Sequence, residues 1–246
     1  MTTQEFSDQF DVLYNNIMSN QAPGLDEYEK SVFLTKAQYE IIKNYFNPKS
    51  NKNQEGFDDS PKRQIDFSNL MAAKKQTTAV TTPTTYVKFD SRSVLYEMPS
   101  DILFALNETA IVTENLKTRL ITIVPISFEE YARILSKPYK QPLKNQGWRL
   151  LNTGMNGTTQ ARISEIVVKA GATVSDYIIR YVRRPKPIIL TTLTETNVSL
   201  DGETDVTECE LDPILHPEIL QRAVELAKNA YGGDLKSTVD LGQRSE

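Results

Sequence analysis

The sequence predicts an α+β protein: a β-sandwich or barrel-like middle region, with a helical layer formed by the N-terminal helices and the C-terminal helix. Three observations carry this expectation. Apolar residues recur at helical spacing near both ends of the chain. Between them lies a succession of short β-branched and aromatic runs separated by turn residues. The order helix, helix, many strands, helix also departs from the strict alternation of a βαβ fold. Four regions follow: an N-terminal helical region at 1–47, a polar loop or arm at 48–85, a β-rich region with one short helix at 86–208, and a C-terminal helix and tail at 209–246. The helical parts are expected to pack together.

Residues 2–18 read as a helix, with Phe6, Phe10, Leu13 and Ile17 on one stripe and Thr2 with Glu5 as a capping box. Pro23-Gly24 marks a turn. Residues 30–34 read as a short strand or extended lead-in. Thr35 with Gln38 forms a second capping box, and the helix after it ends at Asn47-Pro48. Residues 48–64 carry one aromatic and no periodicity, which indicates a long surface loop. The threonine-rich stretch 72–85 reads as an extended arm.

From 86 onward the texture is β, with runs at 86–89, 93–97, 103–112 and 119–124. Ser127 with Glu130 repeats the capping box and predicts a short helix over 128–135. Further strands are expected at 148–151, 163–169 and 177–182, with turns at 154–157 and Gly171. Residues 193–208 read as a hairpin or connecting loop, and the last helix as 217–231, with Gly232-Gly233 as its stop.

Composition narrows the function classes. The chain has 246 residues, 39% hydrophobic content and a formal charge of −4, with a mean hydropathy of −0.42. No run approaches the length needed to span a membrane, and MTTQEFSDQF lacks the basic and apolar segments of a secretory signal. The acidic balance argues against a dedicated nucleic-acid binder. Cys209 is the sole cysteine, which excludes an internal disulfide and a thiolate metal cluster. The expectation is a soluble, non-secreted protein without a cofactor.

Candidate chemistry is sparse. His216, the sole histidine, sits at the mouth of a helix and reads as a capping or solvent-contact residue. Asp201, Glu203, Asp205, Glu208, Glu210 and Asp212 form the densest acidic stretch, but Gly202 does not fit the calcium loop of an EF-hand. A solvated loop or a partner-facing surface is the reading taken. Glu129 and Glu130 are explained as first-turn acids favoured by the helix dipole. No nucleophile elbow, phosphate loop or dinucleotide fingerprint occurs, so no catalytic, cofactor or metal residue is assigned. Trp148 reads as core. Arg180, Arg183, Arg184 and Lys186 form the densest basic cluster, readable as a solvated strand end, a subunit contact or a contact to DNA phosphates. Pro185 and Pro187 remove two backbone donors, which places this segment at an edge or an intersubunit connection.

Several segments carry a resemblance. YIIRYVRRPKPIIL (177–190) and CELDPILHPEILQRAVELAKNAYGG (209–233) are similar to the C-terminal half of the head-to-tail adaptor (ring) proteins of tailed bacteriophages, particularly those of crAss-like short-tailed phages. SDQFDVLYNNIMSNQAPGLDEYEKSVFLTKAQYEIIKNYF, VLYEMPSDILFALNETAIV and ITIVPISFEEYARILSKPYKQPLKNQGWRL resemble the same proteins, in the same order. The resemblance implies a non-enzymatic virion protein that forms a ring below the portal, with twelve-fold symmetry. Such a ring extends the DNA channel and docks the tail. It implies as partners copies of the chain itself, the portal protein and further ring or tail proteins, with DNA passing through without sequence-specific binding and no membrane. Assembly would take place in the host cytoplasm. Arg180, Arg183, Arg184 and Lys186 on one side, and Asp201, Glu203 and Asp205 on the other, are the candidate interface residues. The competing readings are a virion-associated hydrolase using carboxylates and a monomeric receptor- or glycan-binding module.

Overall fold

Local capping signals set the first helices. Thr2 Oγ1 accepts from the Glu5 amide at 3.2 Å while Glu5 accepts from the Thr2 amide at 2.9 Å, and α1 runs Thr3–Asn15. Asp26 and Glu29 make the same reciprocal pair at 2.7 and 3.1 Å, so α2 runs Glu27–Phe46. The computed structural model describes residues 1–15, 24–46, 65–80, 87–135, 137, 139–156, 159–193 and 198–232. The expected loop at 48–64, the end of the first helix and the C-terminal tail lie outside these residues.

The described chain divides into two units: residues 1–70 with 185–246, and residues 71–184. In the first, α4 (His216–Gly232) packs against α2 and α1. Its core includes Phe6, Phe10, Leu34, Ile42, Ile219, Ala223 and Ala227. Tyr14, not Leu13, continues the buried stripe of α1, and Leu13 is exposed.

Residues 30–34 are helical, which corrects the expected extended lead-in, and the capping box expected at Thr35 and Gln38 lies inside α2. Both side chains turn outward to the extended segment 185–190. Thr35 Oγ1 donates to the Ile188 carbonyl at 3.3 Å and accepts from its amide at 3.1 Å. Gln38 Nε2 donates to the Lys186 carbonyl at 3.1 Å, and Ser31 Oγ accepts from the Leu190 amide at 3.0 Å. Side chains thus replace the ladder that proline-interrupted backbone cannot make.

The second unit holds β1 (Met71–Gln76), β2 (Val94–Glu97), β3 (Ile102–Glu114), β4 (Lys117–Pro125), α3 (Phe128–Leu135), β5 (Gln146–Asn156), β6 (Thr159–Val167) and β7 (Thr173–Arg183). All seven strands form one sheet in the order β1-β7-β3-β4-β5-β6-β2. The pairings are antiparallel except β4 with β5, which the α3 crossover joins in parallel. The sheet curls so that residues from both edge strands, Ala72 and Tyr96, share one core with Ala110, Val112, Ile121, Ile123, Ile166, Tyr177 and Ile179. Gln76 Nε2 also donates to the Glu97 carbonyl across the two edges. The barrel-like alternative is the one formed, not a two-sheet sandwich.

On the other face, Tyr131 of α3 packs with Leu150, Val167 and the half-buried Trp148. Residues 72–76, expected as part of an arm, are β1 in the sheet. Residues 87–89, expected as a strand, are loop. Glu165 Oε1 accepts from the amides of Phe89 and Asp90 at 2.9 and 3.0 Å and from Ser93 Oγ at 2.6 Å, so a carboxylate takes the donors a strand would have used. Residues 154–156, expected in a turn, are the end of β5, and the rest of that turn lies outside the described residues.

Candidate functional site

Arg180 lies on β7, exposed, opposite Ala73 of β1 and Asn107 of β3. Arg183, half-buried, ends the same strand opposite Ile102. Strand β7 is therefore paired on both sides, which corrects the edge position inferred from Pro185 and Pro187. The prolines fall just past the strand end, where their missing donors break no ladder. Arg184 is exposed, and its amide donates to the Asp101 carbonyl at 2.6 Å.

Lys186 belongs to the helical unit. Its amide donates to Glu210 Oε2 at 3.0 Å, and its side chain is exposed. The acidic stretch lies in the same unit and is partly committed to it. Asp201 accepts from Tyr39 Oη at 2.7 Å, and Asp212 Oδ1 accepts from the Ile214 amide at 3.0 Å. Asp201 and Gly202 have φ of 50° and 90° and form a tight turn closed by the Leu200–Glu203 bridge. Asp205 is exposed and Glu203 half-buried. Within the helical unit the fold thus brings Lys186, Asp201 and Glu210 around Tyr39 and the 185–190 segment, while Arg180, Arg183 and Arg184 belong to the sheet unit.

His216 caps the 3₁₀ turn Pro213–Leu215, its backbone N–H donating to the Pro213 carbonyl, but its side chain is buried, which corrects the expected solvent contact. Its Nδ1 lies 2.8 Å from the Met1 ammonium, which donates to it, and its Nε2 is 3.1 Å from the Leu211 carbonyl. Phe6 covers the ring, with centroids 5.3 Å apart. Burial holds the imidazole pKa below 6.5, and the neighbouring ammonium adds to the effect against the opposing pull of the Leu211 carbonyl. The Cys209 thiol is pushed up to about 11, mainly by burial, which leaves it a poor nucleophile at neutral pH.

Three polar clusters gave no sequence signal, because each is completed by a residue far along the chain: Asp11 for Lys30 and Glu27, Tyr131 for Asp90 and Arg92, and Arg149 and Tyr177 for Glu108. Buried Lys30 binds Asp11 at 2.7 Å and Glu27 at 3.0 Å between α1 and α2. Burial lowers its pKa, but the two carboxylates outweigh that and raise it. Asp90 accepts from Arg92 and from Tyr131 Oη, each at 2.8 Å. The Arg92 hydrogen bond, against burial, brings its pKa to about 2. Inside the curled sheet, Glu108 accepts from Tyr177 Oη at 2.7 Å and lies 2.9 Å from Arg149 Nε. That contact lacks hydrogen-bond alignment, so Coulomb attraction holds it. Burial raises the Glu108 pKa despite Arg149 and Tyr177. The Lys30 and Asp90 clusters are hydrogen-bonded ion pairs, while in the third Arg149 Nε lies against Glu108 without a hydrogen bond. All three pair opposite charges within a folded unit, which is the arrangement of structural polar groups.

Among the described residues no three His, Cys, Asp or Glu side chains gather to hold a metal ion, and no helix is long and apolar enough to cross a membrane. What the surface offers is exposed basic and acidic segments and exposed apolar side chains, which suit protein contacts.

Comparison with known proteins gives a consistent picture. Residues 1–238 match the family model described as phage tail ring protein 3/4. The chain is 53% identical over 248 residues to ring protein 4/5 of Bacteroides phage crAss001, covering all of both chains. It is 32% identical over 231 residues to ring protein 3 of the same phage, covering 92% of this chain and 95% of that one.

Proposed function

Because the chain belongs to the phage tail ring protein 3/4 family, we propose that it builds a closed homo-oligomeric ring in the connector between portal and tail. A structural tail-ring role in the virion comes with family membership. The finer assignment is our reading: a twelve-fold ring that extends the DNA channel and offers a docking platform. Its neighbours would be the portal or further ring and tail proteins, with DNA passing through unread. The observation that carries the reading is the match at 53% identity across the full length of a named ring protein. The 32% identity to ring protein 3 favours the ring 4/5 place in the stack over the ring 3 place.

The two-unit fold supports it. A closed ring needs two different patches on each copy, and two units of different construction supply distinct surfaces. We assign Arg180, Arg183, Arg184 and Lys186 to contacts with Glu203, Asp205 and the Asp201 turn of an adjacent copy, the arginines by bidentate guanidinium–carboxylate pairing and Lys186 as a point charge. A hydrolase or a monomeric glycan-binding module gains no comparable support.

Native mass spectrometry and negative-stain imaging of the purified chain, together with its position in an averaged map of intact particles, test the proposal. Closed rings of twelve, placed between portal and tail, are expected. A chain that stays monomeric and is absent from that position would overturn it.

A further inference from the structure

Asn115 and Leu116 form the two-residue loop between β3 and β4, with φ of 50° and 62°. Two successive left-handed residues are the type I′ hairpin pattern, whose second position favours glycine. A leucine there carries a backbone cost. Its side chain is 99% exposed, so no contact within the chain offsets that cost. The tip is nonetheless firmly held. Glu114 accepts from Arg119 Nη1 at 2.7 Å and from Lys169 Nζ at 3.1 Å, and Arg119 Nε donates to the Lys144 carbonyl at 2.9 Å. An apolar side chain in an unfavourable backbone state, presented on a braced hairpin, has the character of a preorganised contact.

The helical unit carries a matching depression. Tyr28, Leu193 and Val198 form the apolar part of an open groove of about 260 Å³, which Asp26, Glu27, Thr191 and Thr192 complete. The hairpin tip bears Lys117, Arg119 and Lys169 against the one carboxylate of Glu114, so the signs are complementary.

We propose that Leu116 of one copy seats in the groove formed by Tyr28, Leu193 and Val198 of the next copy, with the basic rim of the hairpin facing Asp26 and Glu27. The proposal rests on the ring reading and names a contact for it. Tip and groove are different patches of one chain, so the contact is heterologous and repeats around a closed rotation.

Leu116→Gly tests it directly. Glycine suits the loop's dihedrals, so the thermal midpoint should hold or rise. Copy-to-copy association, measured by sedimentation, should weaken at least tenfold. In a Cys209→Ser background, Leu116→Cys combined with Leu193→Cys should give a ladder of cross-linked copies on oxidation, absent from either single variant. The ladder is read on the purified chain and on assembled particles. Rings that form with unchanged affinity in Leu116→Gly, with no ladder in either preparation, would overturn this contact and leave the ring reading intact. A chain that forms no ring and enters no particle would overturn both.

Discussion

Glu108 and Arg149 are each almost wholly removed from water, so each relies on the other's charge. Breaking a buried pair from one side leaves an uncompensated ion and costs about 3–5 kcal/mol, whereas replacing both partners by apolar groups of similar volume is often neutral. Glu108→Gln should therefore lower the unfolding free energy of the sheet unit by about 3 kcal/mol in a denaturant titration. Glu108→Leu combined with Arg149→Met should recover most of that loss, and equal losses in the two variants would contradict the pairing. His216 makes a second prediction, about pH. Its folded pKa lies below 6.5, so as pH falls through 6.5 the unfolded chain takes up a proton that the folded chain refuses. Stability is complete above 6.5 and declines below it, by up to about 1.4 kcal/mol per pH unit within the window. Asp90, with a pKa of about 2, acts only at far lower pH. Glu108, whose pKa is raised, has the opposite sign: its contribution declines as pH rises from 4.5 through its folded value. Denaturant titrations at pH 7.5 and 5.5 should show a smaller pH slope in His216→Asn than in the unaltered protein, whatever the absolute loss.

Strand β5 has little room where it meets β4. A Cβ added at Gly147 would lie 2.7 Å from Ile123 Cδ1, 3.2 Å from Ile121 Cδ1 and 3.3 Å from the Val167 carbonyl. Crowding a filled core costs about 1–3 kcal/mol, against a gain of roughly 0.5–1 kcal/mol from removing a glycine inside a strand. Gly147→Ala should lose about 1 kcal/mol by denaturant titration, and Gly147→Val more. Elements like these differ in how well the sequence announces them. The caps at Thr2–Glu5 and Ser127–Glu130 and the apolar runs of β2, β3, β4 and β7 are local features, and their elements form close to where periodicity places them. The start of α2 was missed although Asp26 and Glu29 are an equally local box. Thr35 and Gln38 look like caps, yet their partners are backbone groups about 150 residues further along the chain. The same distance problem hid the strand order: which strand flanks β7 depends on Met71–Gln76, a stretch too polar to read as a strand. Of the candidate interface, the residue types were legible, but their placement was not. Leu116 fell inside the six-residue gap between the runs read at 103–112 and 119–124, and neither the two-residue loop nor its left-handed backbone was legible.

At the scale of the whole molecule, the charged segments make the last prediction. Single exposed pairs contribute about 0–1 kcal/mol, but a closed ring repeats each of them at every interface. Arg183→Glu with Arg184→Glu should therefore reduce incorporation into particles several-fold and make it more salt-sensitive, with circular dichroism of the isolated chain unchanged. Normal incorporation of the folded variant would remove these arginines from the interface. The division of the chain also bears on its synthesis. The helical unit is assembled from both ends of the sequence, and α4 begins some 170 residues after α2 ends. At 5–20 residues per second, α1 and α2 wait roughly 10–30 s on the ribosome before α4 arrives. All seven strands are made in that interval, so the sheet can close while Phe6, Phe10, Leu34 and Ile42 still lack the helix that covers them. The newborn chain thus passes through a stage with its first two helices sticky and its sheet complete, the moment at which a crowded host cell would most readily divert it.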